Sequence, residues 1–208
     1  MRTGFIRPAL PVLRPAPPTG EGWIHELKFD GWRVQLAKRE GAVVLYSRSG
    51  YDVAGKFPTI ARAGLSLPDG LHIDGEMIAY GPDGLPSFEA IGKRGALHCM
   101  WCFDLLRLDG LDLTKETLRD RRRLLEPIVA GHSPELRFSE GFPDGAKLLA
   151  AAEGMGLEGI VSKSLIRPYR SGSRCGWIKV KTAAWRMAQH QRIRAIRRRH
   201  QSDRRPTT

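Results

Sequence analysis

Short runs in which apolar and polar residues alternate, punctuated by Asp-Gly and Glu-Gly pairs, make up most of the chain. A period of two marks strands whose faces differ in polarity. It predicts strands over Trp23 to Phe29, Trp32 to Arg39, Val43 to Ser47, Leu71 to Ala79, Leu97 to Leu106, Gly159 to Lys163 and Trp177 to Lys181. Turn signals stand at Asp30-Gly31, Glu40-Gly41, Asp74-Gly75, Asp83-Gly84 and Asp109-Gly110. Helical spacing is rarer. Thr117, with Asp120 three residues on, resembles a capping box ahead of Leu124, Leu125 and Ile128. Asp144 is placed to cap a helix through Leu148, Leu149 and Ala152 that stops at Gly154 or Gly156. Pro8 to Gly22 reads as a proline-stiffened arm leading into the first strand. Strands in runs with interspersed helices, and no repeat, point to an α+β fold with mostly antiparallel sheets.

Within this pattern the segment Glu26-Leu27-Lys28-Phe29-Asp30-Gly31-Trp32-Arg33 puts Glu26, Lys28 and Asp30 on one face and Leu27 and Phe29 on the other. Asp30-Gly31 is then expected to reverse the chain. Taken alone, this is a hairpin with a solvated polar face.

Composition narrows the picture. A chain of 208 residues suits one large domain or a domain with an appendage, and 41% hydrophobic against 27% charged residues is ordinary for a folded protein. The net charge of +12 favours polyanionic partners. It is unevenly placed: from Thr182 onward there are eight arginines and one acid, a local charge of +7, which leaves +5 for the body. This basic tail is either a solvated helix that fades out or a contact for phosphate backbone. Its first residues, Ala183, Ala184, Trp185, Met187 and Ala188, are suited to start a helix. No run of 18 apolar residues exists and the proline-rich N-terminus lacks a secretory core, so neither a spanning helix nor export is expected. Three cysteines do not make a disulfide framework, which points to free thiols and the cytoplasm.

Three tempting motifs fail. Gly154-Met155-Gly156-Leu157-Glu158-Gly159 matches a dinucleotide fingerprint by letter, but its expected order is helix, glycines, strand, so an anion would meet the wrong end of the helix dipole. Cys99 and Cys102 lie in a strand-like run without a second ligand pair and read as buried structural thiols rather than a metal site. Gly92-Lys93 lacks the earlier glycine of a phosphate-binding loop.

What survives is an ordered set. Lys28-Phe29-Asp30-Gly31-Trp32-Arg33 fits K-x-D-G-x-R, followed by Ser47-Arg48-Ser49-Gly50, Asp74-Gly75-Glu76, Phe103-Asp104-Leu105-Leu106, Glu158-Gly159-Ile160-Val161-Ser162-Lys163 and Trp177-Ile178-Lys179-Val180-Lys181. In this order the set resembles the nucleotidyltransferase motifs of ATP-dependent DNA ligases. With Pro168-Tyr169-Arg170 ahead of the last motif, it is most similar to the ligase domain of bacterial end-joining ligases. The resemblance implies two twisted, mainly antiparallel sheets flanked by helices, ATP-grasp-like, with the nucleotide between them. It also implies a covalent lysyl-AMP intermediate, transfer of AMP to a DNA 5′-phosphate, and nick sealing in repair or recombination.

A lysine that attacks phosphorus must be neutral, so nearby cations have to favour loss of its proton; Arg33, Lys179, Lys181 and Mg²⁺ are the candidates. The resemblance makes Lys28 the nucleophile, with Lys179 and Lys181, two apart on one strand, as clamps for the α-phosphate. It implies that Phe103 stacks on adenine and Glu26 lies near its exocyclic amine. Arg33, Arg48 and Glu76 would contact ribose or phosphate, and Lys163 would complete the nucleotide set. Glu158, with Glu76, would hold Mg²⁺ or Mn²⁺, hard ions suited to carboxylate and phosphate oxygens. Asp30 is expected to order its turn rather than bind metal.

Ligases of this kind continue into an OB-fold domain, whereas only 27 residues follow Lys181, too few for a five-stranded barrel. The expected organisation is therefore an arm over 1–22, an adenylation domain over 23–181 and a basic tail over 182–208 that binds DNA phosphates in place of the missing clamp. Expected partners are ATP, nicked duplex DNA and end-joining or repair proteins, with a monomer acting at the nucleoid and no membrane contact. Two alternatives stay open: an RNA ligase or capping-type nucleotidyltransferase, and a noncatalytic DNA-binding remnant.

Overall fold

A computed structural model describes residues 4–82, 84–93, 95–132 and 134–188. In chain order its elements are β1 (Val12–Leu13), β2 (Trp23–Lys28), β3 (Trp32–Arg39), β4 (Ala42–Ser47), α1 (Pro58–Gly64), β5 (Leu71–Ala79), β6 (His98–Leu108), β7 (Leu111–Asp112), α2 (Leu118–Val129), β8 (Leu136–Phe138), α3 (Gly145–Gly154), β9 (Gly159–Ser164) and β10 (Ile178–Lys181). They form the expected α+β arrangement of two mainly antiparallel sheets. One runs β1-β10-β9-β2; the other runs β4-β3-β5-β6-β7, with β8 alongside β6.

Each sheet buries one face against helices. In the smaller sheet Leu27, Ile160, Ile178 and Val180 pack on Leu148, Leu149 and Ala152 of α3. In the larger one Val34, Leu36, Ile73, Met77 and Met100 pack on Ile60 of α1 and Leu125 and Val129 of α2. The helix starts follow the sequence. The Thr117 hydroxyl accepts from the Asp120 amide at 3.2 Å, and the Asp144 carboxylate accepts from the amides of Ala146 and Lys147 at 3.1 and 3.0 Å. Between the sheets lies a third cluster of Phe103, Leu106, Tyr169, Cys175 and Trp177, completed by Ala9 from the N-terminal arm.

Two expectations about Asp-Gly pairs are corrected. The chain does not fold back on itself at Asp30-Gly31, because β2 pairs with β9 while β3 pairs with β4 and β5. The turn carries the backbone from one sheet to the other. Gly31 is needed there: a Cβ would lie 2.4 Å from the Met77 carbonyl oxygen and 2.8 Å from Glu76 Cγ. Asp74-Gly75 is not a turn but sits inside β5, at an irregularity in the pairing with β6. By contrast Glu40-Gly41 and Asp109-Gly110 close hairpins, with φ of 53° and 75° in the first and 50° and 79° in the second.

The arm is also more ordered than its prolines suggest, since Val12 and Leu13 run parallel to Ile178 and Lys179 along the edge of β10. Helix α1 was not foreseen; seven residues beginning at Pro58 are too few to show a helical period. Residues 183–188 are helical, as their composition suggested. The tail arginines from Arg192 to Arg205, like Asp83 of one turn signal, lie outside the described residues.

Candidate functional site

Strand register assembles the site. Across the smaller sheet Glu26 pairs with Val161 and Val161 with Lys179, while Lys28 pairs with Gly159 and Gly159 with Lys181. Because side chains alternate, Glu26, Lys28, Val161, Lys163, Lys179 and Lys181 share the face opposite to that packed on α3. That face lines a cavity of about 580 Å³ between the sheets, whose other wall carries Arg33, Arg48, Glu76, Phe103 and Trp101. The central row needs a glycine. Gly159 has φ +152°, and a Cβ there would fall 2.0 Å from the Val180 carbonyl oxygen, so any other residue would push β10 away.

At one end stands a charged triad. The Glu158 carboxylate accepts from Lys28 Nζ at 2.7 Å and pairs with Lys181 Nζ at 3.1 Å, so one anion is shared between two amines. Glu158 is buried while Lys28 keeps access to the cavity. Lys179 lies in the same charged field: its pKa falls through burial, then through the neighbouring charges of Lys28 and Lys181.

At the other end Glu26 is fully engaged. Its carboxylate takes Arg122 at 2.6 Å, Ser139 Oγ at 2.9 Å and Lys163 at 2.9 Å, all buried. Lys163 Nζ also stands 4.1 Å from the Phe103 ring centre and 4.3 Å from that of Trp177. Burial pulls its pKa down to about 8 despite Glu26. Arg33 lies over Phe103 at 4.5 Å and makes a two-pronged contact with buried Asp74, Nε and Nη2 each 2.6 Å from a carboxylate oxygen.

Glu76 pairs with Arg33 across β3 and β5 but makes no ion pair among the described residues. Burial pushes its pKa up to about 7, against the opposing pull of Arg33 and Lys28. A carboxyl that titrates at about 7 when folded and at 4.5 when unfolded binds more protons in the folded state. Its contribution to stability is therefore present below the unfolded value and lost as pH rises through the folded one. Thermal melts of the protein alone should show Glu76→Gln gaining on the wild type between about pH 5 and about pH 8. A constant difference across that range would rule out Glu76 as the titrating group.

Every site residue expected from the sequence thus lines or adjoins one cavity. Cys99 and Cys102 are buried free thiols. Burial raises both pKa values, that of Cys99 to about 11, which keeps them protonated and inert. The glycines after α3 run from a helix end into β9, the order that argued against a dinucleotide site. Sequence reasoning missed Asp74 as the partner of Arg33, Ser139, the Phe29–Trp101 stack at 4.8 Å and Arg122. A signal for Arg122 was present: Leu118, Arg121, Arg122, Leu125 and Val129 form one helical stripe, so two arginines occupy apolar positions.

Comparison with known proteins agrees with this geometry. Residues 17–181 match the model of the ATP dependent DNA ligase domain. The multifunctional non-homologous end joining protein LigD of Pseudomonas aeruginosa is 37% identical over 186 residues, 85% of this chain but 22% of that protein. The SPbeta prophage-derived DNA ligase-like protein LigB of Bacillus subtilis is 34% identical over 184 residues, 85% of this chain and 67% of that protein. A solved structure of mycobacterial DNA ligase D complexed with ATP and MES superposes with a TM-score of 0.74 at 33% identity, covering 84% of this chain and 59% of that one. The chain therefore spans about a fifth of the length of the LigD protein it matches.

Proposed function

Because the chain belongs to the ATP-dependent DNA ligase domain family, we propose that it is an adenylating enzyme that captures AMP on Lys28 and passes it to the 5′-phosphate of a DNA nick. The observation that carries this reading is the Lys28–Glu158–Lys181 triad at 2.7 and 3.1 Å, open to a cavity large enough for a nucleotide. Once Lys28 has given up its ammonium proton, Nζ attacks the α-phosphorus of ATP; a P–N bond forms, the P–O bond to the β-phosphate breaks, pyrophosphate leaves and a second proton departs from nitrogen. Glu158, already hydrogen-bonded to Nζ, is the nearest acceptor for the proton lost from nitrogen. Lys179 and Lys181 offset the charge that builds on the α-phosphate. Phe103 offers a ring to the adenine, with Glu26 and Lys163 beside it, while Arg33, Arg48 and Glu76 face ribose and phosphates. Residues 23–181 carry this chemistry and 1–22 and 182–208 flank it.

A divalent ion fits only with the substrate's help. Among the described residues no three His, Cys, Asp or Glu side chains are grouped so that they could hold a metal ion by themselves. A single carboxylate, Glu158 with Glu76 nearby, combined with phosphate oxygens is the coordination Mg²⁺ favours, and Mn²⁺ would accept the same set. When bound, the ion would neutralise phosphate charge and so ease attack by an amine. Transfer to DNA and attack by a 3′-hydroxyl would complete sealing, with the basic tail contributing phosphate contacts. End-joining proteins are candidate partners in the cytoplasm. No helix among the described residues is long and apolar enough to cross a membrane.

Gel analysis of nicked duplexes with all-DNA or RNA-containing strands, incubated with ATP or GTP and Mg²⁺, tests this assignment. Sealed product or 5′-adenylated DNA is expected with ATP and DNA. Reaction with RNA nicks or GTP alone would favour an RNA ligase or capping enzyme, and binding without any adenylate would favour a noncatalytic remnant.

A further inference from the structure

The nucleotide cavity has a third wall that none of the ligase motifs supplies. Pro8, Ala9, Leu10 and Pro11 of the N-terminal arm line it beside Phe103 and Trp177. The arm is fastened along its length. Gln35 donates to the Ile6 carbonyl at 2.8 Å, Leu10 and Gly172 bind through backbone groups, and Val12 donates to the Trp177 carbonyl at 2.9 Å. The Ala9 amide takes no part in that backbone ladder. It donates instead to the Tyr169 hydroxyl at 2.9 Å, and that hydroxyl donates to Asp74 Oδ2 at 2.7 Å. Asp74 in turn holds both prongs of Arg33. Tyr169, Ala9 and Asp74 are all buried, at 7%, 0% and 0% exposure, so loss of one link leaves its partner polar group buried without it.

We infer that Tyr169 is a positioning residue for the nucleotide site, a hinge pin that ties the N-terminal arm to Asp74 and thereby sets the direction in which Arg33 meets the nucleotide. The phenol is suited to this because it accepts one hydrogen bond while donating another. Its ring, edge-on to Trp177 at 6.0 Å, fixes where the hydroxyl stands. Asp74 cannot hold Arg33 in one orientation unless its own carboxylate is held. Tyr169 restrains the oxygen that Arg33 Nη2 shares.

This inference rests on the proposed nucleotide function, and one set of binding measurements separates the two. The probe is α,β-methylene-ATP, whose bridging carbon prevents adenylation of Lys28, titrated into the full chain with Mg²⁺. Tyr169→Phe keeps the ring and removes both hydrogen bonds, and should weaken binding about five- to ten-fold. In an Arg33→Lys background, where the fork is gone but a cation remains beside Asp74, the same change should cause no further loss. Wild-type affinity for Tyr169→Phe would overturn the inference, including the case in which only the melting temperature falls. So would equal fold losses in both backgrounds, which would mean that Tyr169 acts independently of Arg33. Failure of the wild type to bind the analogue would instead defeat the nucleotide assignment itself.

Discussion

Lys28→Ala is expected to form no covalent adenylate with α-labelled ATP and to lose ligation by at least about a thousand-fold, the scale on which removal of a nucleophile acts. Lys28→Arg should fail equally, because a guanidinium stays protonated and cannot attack phosphorus. Neither change should unfold the protein: Lys28 borders an open cavity, and Glu158 keeps Lys181 as a partner when Lys28 is lost. Melting temperatures close to wild type, combined with absent label, distinguish a missing nucleophile from a collapsed site. Undiminished labelling of Lys28→Ala would move the nucleophile to another residue.

The largest effect on stability is expected at Glu26. This buried carboxylate is the common partner of Arg122 and Lys163. Glu26→Ala would leave two cations facing each other away from water, and breaking a buried pair in this way costs about 3–5 kcal/mol. Glu26→Gln retains an acceptor for Ser139 or Lys163 and should fall between alanine and wild type. Urea or guanidinium unfolding monitored by tryptophan fluorescence provides the measurement. A loss below about 1 kcal/mol for Glu26→Ala would mean that the cations find water or other acceptors. The same residue faces the proposed adenine site, so the charge network that holds the fold there also shapes the nucleotide pocket.

Much of this architecture was legible because strand alternation and strand register are two views of one periodicity. Glu26 and Lys28, two apart on β2, and Lys179 and Lys181, two apart on β10, had to share faces. What the sequence did not state is that Gly159 of β9 lies between Lys28 and Lys181. That fact requires long-range pairing. Local reading also failed at Asp30-Gly31 and Asp74-Gly75, where a dipeptide that favours turns serves a crossing between sheets and a strand irregularity. The flexibility of glycine is the same in a turn and at a close backbone approach, so the letters alone do not separate them. Arg122, and the pairing of Asp74 with Arg33, were missed because charged residues are presumed solvated. Their burial is offset by partners, Glu26 and Arg33, that are distant in sequence.

Arg33 illustrates the difference between naming a residue and placing it. The resemblance of its motif implies nucleotide contact, and the structure has two of its nitrogens on Asp74 and its guanidinium carbon 4.5 Å from the Phe103 ring centre. It therefore enters the cavity already oriented, and Tyr169 and the N-terminal arm become part of the site by the same connection. Pre-orientation of this kind reduces the ordering that binding would otherwise require.

Intact-mass spectrometry of the purified full chain after incubation with ATP and Mg²⁺ puts the covalent chemistry to the most direct trial. A mass increase of a single adenylyl group, mapped to the peptide containing Lys28 and reversed by added pyrophosphate, is the expected result. No adduct under any ATP, metal or pH condition, or an adduct on a different side chain, would contradict the assignment of Lys28 as the adenylated amine.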